Sequence, residues 1–374
     1  MPIHPLDTTR DVRSAYLRYL KTIKPFQDES LRDEFSRAIE TPEMLVKGPL
    51  VEISQPYKPE KSIKALVGEG VLSSLFENIC SPALPYERNL YAHQVRAIKK
   101  AVLGRNIVVS TGTGSGKTEA FLIPVLNHLL REEENGTLDQ PGVRALFLYP
   151  MNALANDQMK RLRRILSKYP QITFGRYVGE TEYDEDRAQA IFEQNYPEEA
   201  KLGAKNELKS RNEMHDSPPH ILLTNYAMLE YLLLRPASSP LFDGETGSHW
   251  HFIALDEAHV YDGANATEMA MLLRRLQDRI VGRNFARIQA IATSATLGKG
   301  REDFPDVATF ATNLFNQPFI WDENDSENQD IVSAERLPID ALGDTWGSGS
   351  QEFYAELQVI VGNKKFDESD KVSL

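Results

Sequence analysis

Six short apolar runs, each followed by a stretch long and amphipathic enough for a helix, constrain this chain more than any other feature of its sequence. They are IVVS (107–110), ALFLY (145–149), ITFGRYV (172–178), ILLT (221–224), FIAL (252–255) and IQAIAT (288–293). A strand with one wet face alternates apolar and polar side chains, whereas a run that is apolar throughout must be covered on both faces. Strands of that kind, alternating with helices, stack as a parallel sheet between two helical layers, so the sequence predicts a three-layer α/β domain. The charged stretch from Thr181 to Pro219, poor in β-branched residues, is expected as a helical surface insertion.

Upstream, the pattern is helical. Val12, Ala15, Tyr16, Tyr19, Leu20 and Ile23 recur at helical spacing behind the cap candidates Thr8 and Thr9, and Leu31, Phe35 and Ile39 form a second stripe. Three prolines then interrupt KGPLVEISQPYKP (47–59). Downstream of Lys299 one helix is expected, with Phe310, Leu314 and Phe315 on its apolar face. The expected organisation is a helical N-terminal accessory domain (1–84), an α/β domain (85–316) and an acidic linker or start of a further domain (317–374).

Charge follows the same division. The chain carries 42 basic and 54 acidic residues, a net of −12, but residues 1–84 hold 11 and 12, residues 85–300 hold 26 and 26, and residues 301–374 hold 5 and 16. The neutral centre leaves room for a local basic face. Cys80, the single cysteine, excludes an internal disulfide and a Cys-based zinc site, and points to a reducing cytoplasm. The N-terminus lacks the basic start and apolar core of a signal peptide, and no run approaches the roughly 18 apolar residues that cross a bilayer. A cytoplasmic protein with no membrane partner is expected.

Three motifs carry chemistry. STGTGSGKTEAF (110–121) follows the run IVVS and precedes a helix-compatible stretch. Across Thr111, Gly112, Thr113, Gly114, Ser115 and Gly116 the backbone can curl so that its N–H groups and the helix N-terminus face phosphate oxygens, with Lys117 reaching the phosphates and the Thr118 hydroxyl binding Mg²⁺. Thr111 stands where the strict phosphate-loop pattern has glycine. Asp256, Glu257, Ala258 and His259 follow the run FIAL, at the carboxyl edge of the expected sheet. There Asp256 is suited to hold Mg²⁺ and Glu257 to orient and deprotonate an attacking water. Ser294, Ala295 and Thr296 end the last run and gain meaning from coming third in this order.

With Gln94 in LYAHQ, YPMNALANDQ (149–158), YVGET (177–181) and ILLTNYAML (221–229), these motifs resemble the first motor domain of superfamily 2 DEAD/DEAH-box helicases over roughly residues 85–316. The opening of the chain, with KGPLVEISQPY, is similar to large bacterial DEAD/DEAH-box proteins, some from anti-phage defence systems and some with a DUF1998-type C-terminal region. The resemblance implies a RecA-like fold, ATP and Mg²⁺ as ligands, and nucleic acid as partner. It assigns Gln94 to the adenine edge, Lys117 and Thr118 to phosphates and Mg²⁺, and Asp256 and Glu257 to metal and water. His259, Ser294 and Thr296 would couple the nucleotide to the strand. Tyr86 and Phe76 are candidates for an aromatic that stacks on the base.

Strand contact is assigned by the same resemblance to Pro150, Asn152, Leu154, Gln158, Gly179, Thr224 and Asn225. In the neighbouring MKRLRRILSK (159–168), Met159, Leu162 and Leu166 mark a buried face, while Lys160, Arg164 and Lys168 recur on the other, either as a solvated face or against phosphates. A complete motor closes a second RecA-like lobe over ATP and supplies arginine fingers. The 78 residues after Thr296 contain no QxxGRxGR-like segment, so half a motor is expected, completed in cis or by a partner subunit. DNA is favoured over RNA by the DEAH spelling and the bacterial-type opening. The rival reading is a non-enzymatic scaffold that binds nucleotide or nucleic acid.

Overall fold

The computed structural model describes residues 5–23, 25–41, 55–79, 81–112, 114–201, 203–281, 288–297 and 300–338. The chain divides into two compact units, Met1–Gln55 and Pro56–Leu374.

The first unit pairs the helices Pro5–Ile23 and Glu29–Glu40. Thr8 and Thr9, expected as caps, lie inside the first helix, which opens on Pro5: proline has its φ preset for a helix and lacks an N–H that would go unpaired there. The second helix is capped by Asp28, whose side chain accepts from the Leu31 N–H at 2.9 Å. Ile39 is buried, but the predicted apolar stripe is open, with Val12 62% and Leu31 54% exposed. Most of KGPLVEISQPYKP lies outside the described residues.

In the second unit, β1 (Pro59–Ser62) pairs antiparallel with β2 (Asn89–Tyr91). The other strands are β3 (Ile107–Ser110), β4 (Ala145–Leu148), β5 (Phe174–Arg176), β6 (Glu207–Leu208), β7 (Ile221–Thr224), β8 (Phe252–Leu255), β9 (Gln289–Ser294) and β10 (Ile331–Ser333). These eight form one parallel sheet in the order β10-β3-β9-β8-β4-β7-β5-β6. Strand side chains alternate between faces, so Ile107, Val109, Ala145 and Phe147 join one apolar cluster while Val108, Leu146 and Leu148 join the other. Two covered faces are what the uninterrupted apolar runs require, and the three-layer α/β expectation holds.

The second unit is larger than the segment expected as the α/β domain. Residues 56–84, expected with the N-terminal helices, contribute Ile63, Leu66, Phe76 and Ile79 to the cluster that holds Ile107. Phe76 is fully buried there, which removes it as a base-stacking candidate. At the other end, Ile331–Ser333, expected within an acidic linker, form the edge strand beside β3 and bury Ile331 and Val332. In the expected surface insertion, Glu207–Leu208 adds the opposite edge strand among helices. Because all eight strands are parallel, the loops after β3, β4, β5, β7, β8 and β9 emerge along one edge, and the phosphate-loop, YPMNALANDQ, YVGET, TNYAML, DEAH and SAT motifs lie there, whereas Gln94 opens the helix Ala92–Val102 after β2.

Candidate nucleotide and strand site

The loop after β3 is pinned from several sides. Thr111 N–H donates to the Ser294 carbonyl at 3.0 Å, and the Thr111 and Ser115 hydroxyls pair at 2.6 Å. Gly114 and Gly116 take φ of 75° and 72°, conformations a side chain would strain. At Gly116 the space is closed too: a Cβ there would lie 2.2 Å from Gln94 Nε2. Gln94 spends its amide locally, donating to the Gly116 carbonyl at 2.8 Å and accepting from Tyr91 N–H at 2.8 Å. His93, fully buried, has Nε2 2.9 Å from the Ser115 carbonyl. Burial lowers its pKa, and the neutral ring bonds a carbonyl only as a donor, so Nε2 carries the hydrogen. Thr113 lies outside the described residues. Gly112 faces Tyr57 and Arg336, for a Cβ there would lie 3.3 Å from the phenol oxygen and 4.0 Å from Nη2, and the Arg336 guanidinium stacks 4.7 Å from the Tyr57 ring centre.

Opposite the loop, β8 delivers the acidic pair. Lys117 Nζ lies 3.2 Å from Glu257 Oε1, joining the phosphate-loop lysine to the second motif. Glu257 adopts φ 53°, a left-handed conformation that costs a non-glycine residue about 1 kcal/mol or more. His259 Nδ1 lies 3.3 Å from Glu257 Oε2 and 3.3 Å from Ser294 Oγ, so the third motif meets the second. Ser294 Oγ also accepts from the N–H groups of Thr296 and Leu297 at 3.1 and 3.0 Å; Thr296 itself is exposed. Asp256 accepts a hydrogen bond from Thr293 Oγ1. Burial first, then the charge of Glu257, raise its carboxyl pKa above the usual aspartate value, against the opposing pull of Thr293 and Lys117. A buried carboxylate whose charged form is disfavoured gains most from a nearby cation, and Thr118 offers a hydroxyl of the type that Mg²⁺ accepts. The donor set fits Mg²⁺.

The strand loops are cross-linked to one another. Asn225 Nδ2 donates to Asn152 Oδ1 at 2.8 Å, and Asn225 Oδ1 caps the next helix by accepting from Met228 N–H at 2.8 Å. Thr224 is fully buried and donates its hydroxyl to the Tyr177 carbonyl at 2.6 Å, so this side chain tethers the 177–181 loop and has no hydroxyl left for a strand. The Gly179 carbonyl accepts from Arg211 Nη2 at 2.9 Å. Pro150 and Leu154 are half-buried. On the helix Asn152–Leu166, Arg164 is exposed, as is Lys168 just beyond it, and Lys160 is half-buried; Gln158 Nε2 lies 3.4 Å from Thr118 Oγ1.

Two arginines of that helix turn inward, which an apolar-stripe reading passes over. Arg163 is buried in a two-pronged pair with Glu207 at 2.6 and 2.7 Å, and Arg161 Nη2 donates to Glu119 Oε1 at 2.7 Å. Arg163 could have been found in the sequence: it lies four residues after the buried Met159 and so shares its face. Nothing local marks Glu119 as its neighbour's partner, because the contact spans 42 residues.

A model of the DEAD/DEAH box helicase family matches residues 91–304. Druantia protein DruE of Escherichia coli (strain UMEA 4076-1) is 29% identical over 78% of this chain and 20% of its own length. An uncharacterized ATP-dependent helicase, YprA of Bacillus subtilis (strain 168), is 31% identical over 57% of this chain and 24% of its own. Among solved structures, DUF1998 helicase MrfA bound to DNA superposes with a TM-score of 0.50 at 22% identity, covering 82% of this chain and 32% of that one. The chain thus spans 20 to 32% of the length of these relatives.

Proposed function

The chain belongs to the DEAD/DEAH box helicase family, and on that premise we propose that it is the ATP- and Mg²⁺-binding lobe of a helicase or translocase that acts on DNA. The observation that carries this reading is the 3.2 Å contact between Lys117 and Glu257. A phosphate-loop lysine and a carboxylate from a different strand meet at the sheet edge where α/β folds bind ligands.

The two residues exchange partners in the cycle. Without nucleotide, Lys117 and Glu257 neutralise each other; phosphates compete for the lysine and release the carboxylate. Glu257 is then free to accept a proton from water, oriented by His259 at 3.3 Å. Thr118 and Asp256 would hold Mg²⁺, which when bound supplies charge to the phosphoryl oxygens. The backbone N–H groups from Gly114 to Lys117 would cradle phosphate, and Gln94, held against the loop at Gly116, would read the adenine edge on giving up that bond. Ser294 and Thr296, through His259, carry the state of Glu257 to β9. One strand is gripped through its phosphates by the loops bearing Pro150, Asn152, Leu154, Gly179 and Asn225, with Lys160, Arg164 and Lys168 flanking them.

The remaining catalytic group, an arginine finger, comes from a second lobe in cis or on a partner subunit. The relatives' greater length and the acidic balance of residues 301–374 favour that division. An anti-phage role is suggested by the likeness to the Druantia protein, and DNA as the strand by the likeness to DNA-bound MrfA. A hydrolysis assay with Glu257→Gln tests the assignment: turnover should vanish while ATP affinity stays within about twofold of wild type, and undiminished turnover would refute it.

A further inference from the structure

The helix Asn152–Leu166 carries the proposed strand grip on its first turns, yet two of its side chains reach back to the helix Lys117–Glu134 that begins at the phosphate loop. Gln158 Nε2 lies 3.4 Å from the hydroxyl of Thr118, and Arg161 Nη2 lies 2.7 Å from Glu119 Oε1. Gln158 and Arg161, three apart, share one face of the strand helix, and that face meets the first turn of the loop helix at two points.

Glu119 is built to do more than fill space. Its side chain is 9% exposed, it is shared between Arg161 and Arg88, whose Nη2 lies 3.5 Å away, and Arg88 stands in the segment leading to Gln94. Its second oxygen, Oε2, is buried without a hydrogen-bond partner among the described residues and lies 2.9 Å from where a Cβ on Gly116 would be. A buried carboxylate oxygen with no hydrogen-bond partner costs stability, and the fold keeps it at this position. Here one carboxylate bonds the helix bearing the strand grip and the chain entering the adenine side, and fills the space beside the glycine that closes the phosphate loop.

We propose that Arg161 and Glu119 are positioning residues that couple strand binding to nucleotide binding within this lobe. Displacement of the Asn152–Leu166 helix by a strand is carried through the Arg161 guanidinium to Glu119 and thence to the loop at Gly116, with Gln158 and Thr118 as the second point of contact. Neither Arg161 nor Glu119 touches nucleotide or strand in this account. The inference rests on the proposed nucleotide and strand sites.

The test measures binding, not turnover. The affinity of the chain for a non-hydrolysable Mg·ATP analogue is determined with and without saturating single-stranded DNA, in wild type, Arg161→Ala, Glu119→Gln, the double variant and Arg161→Lys. Coupling of the usual size makes the strand tighten analogue binding about fivefold or more. Each single variant should bring that factor close to one, with the separate affinities within about twofold of wild type, and the double variant should lose nothing further because both remove one link. Arg161→Lys should restore part of the factor by keeping the charge. Unfolding temperatures measured alongside identify a variant that has lost its fold, and the isosteric Glu119→Gln then decides. A wild-type factor of one, a factor unchanged in Glu119→Gln, or independent losses in the two single variants would each overturn the coupling while leaving both binding sites standing. Failure of wild type to bind analogue or strand at all would overturn it together with the proposed function.

Discussion

His220 shows how strongly single side chains are committed in this lobe. It is 4% exposed, and its Nδ1 accepts from the Thr173 N–H at 3.1 Å. Burial first, then the nearby Arg144 charge, lower its pKa to about 4. In the unfolded chain it binds a proton near pH 6.5, so folding excludes that proton: stability is complete above about pH 6.5 and falls as the pH drops toward 4. The full loss is on the order of 3 kcal/mol. Urea unfolding at pH 7 and pH 4.5 measures it, and His220→Gln should flatten that pH dependence. Asp256 has the opposite shift, its carboxyl raised above 3.8 chiefly by burial. Protons would therefore compete with Mg²⁺ at a higher pH than for an ordinary aspartate, and Asp256→Asn should raise the Mg²⁺ concentration that nucleotide binding needs and remove its acid sensitivity.

At this scale the meeting of Lys117, Glu257, His259 and Ser294 at one sheet edge was legible, because they stand in short motifs at the ends of apolar runs. What local sequence could not disclose is where a polar side chain is spent. Thr224 stands in a strand-contact motif, yet it is fully buried and bonded to Tyr177. Arg161 reads as one of several basic residues and is an internal tie.

Among elements, the strands were the most readable. The runs 107–110, 221–224 and 252–255 match β3, β7 and β8 residue for residue, since continuous apolar runs bounded by polar turns leave little choice of register. The edge strands escaped: β6 is two residues long, and β10 is a three-residue strand embedded in acidic, turn-rich sequence. Edge strands are paired on one side only, so they need fewer apolar residues and leave a weaker pattern. The central strands should be correspondingly sensitive. Phe147→Ala in β4 removes a ring packed edge-on against Phe121 at 5.1 Å between centres and should cost about 3–5 kcal/mol in chemical unfolding. On the helix Asn152–Leu166 and its C-terminal extension, replacing Lys160, Arg164 and Lys168 together with glutamate should weaken single-stranded DNA binding for every sequence. The slope of log affinity against log salt should flatten by about one unit per lost phosphate contact. Wild-type binding by the triple variant would leave these residues as a solvated face.

For the whole molecule, the proposed division leaves the arginine finger to a second lobe. An arginine finger contributes about 10³ to 10⁵ in turnover, so the 374-residue chain should hydrolyse ATP slowly even with nucleic acid, and a second lobe supplied in cis or in trans should restore the rate. Turnover above about 1 s⁻¹ by the monomeric chain would contradict that division, and Arg336, beside Gly112, would then be the cation to mutate first. Every step of the proposed cycle requires that the loop from Thr111 to Thr118 bind Mg·ATP through Lys117. Calorimetric titration of Mg·ATP into wild type and Lys117→Ala tests it most directly. The account predicts binding by wild type and a loss of about a hundredfold or more in the variant, with the unfolding temperature preserved; equal affinities in the two proteins would contradict it.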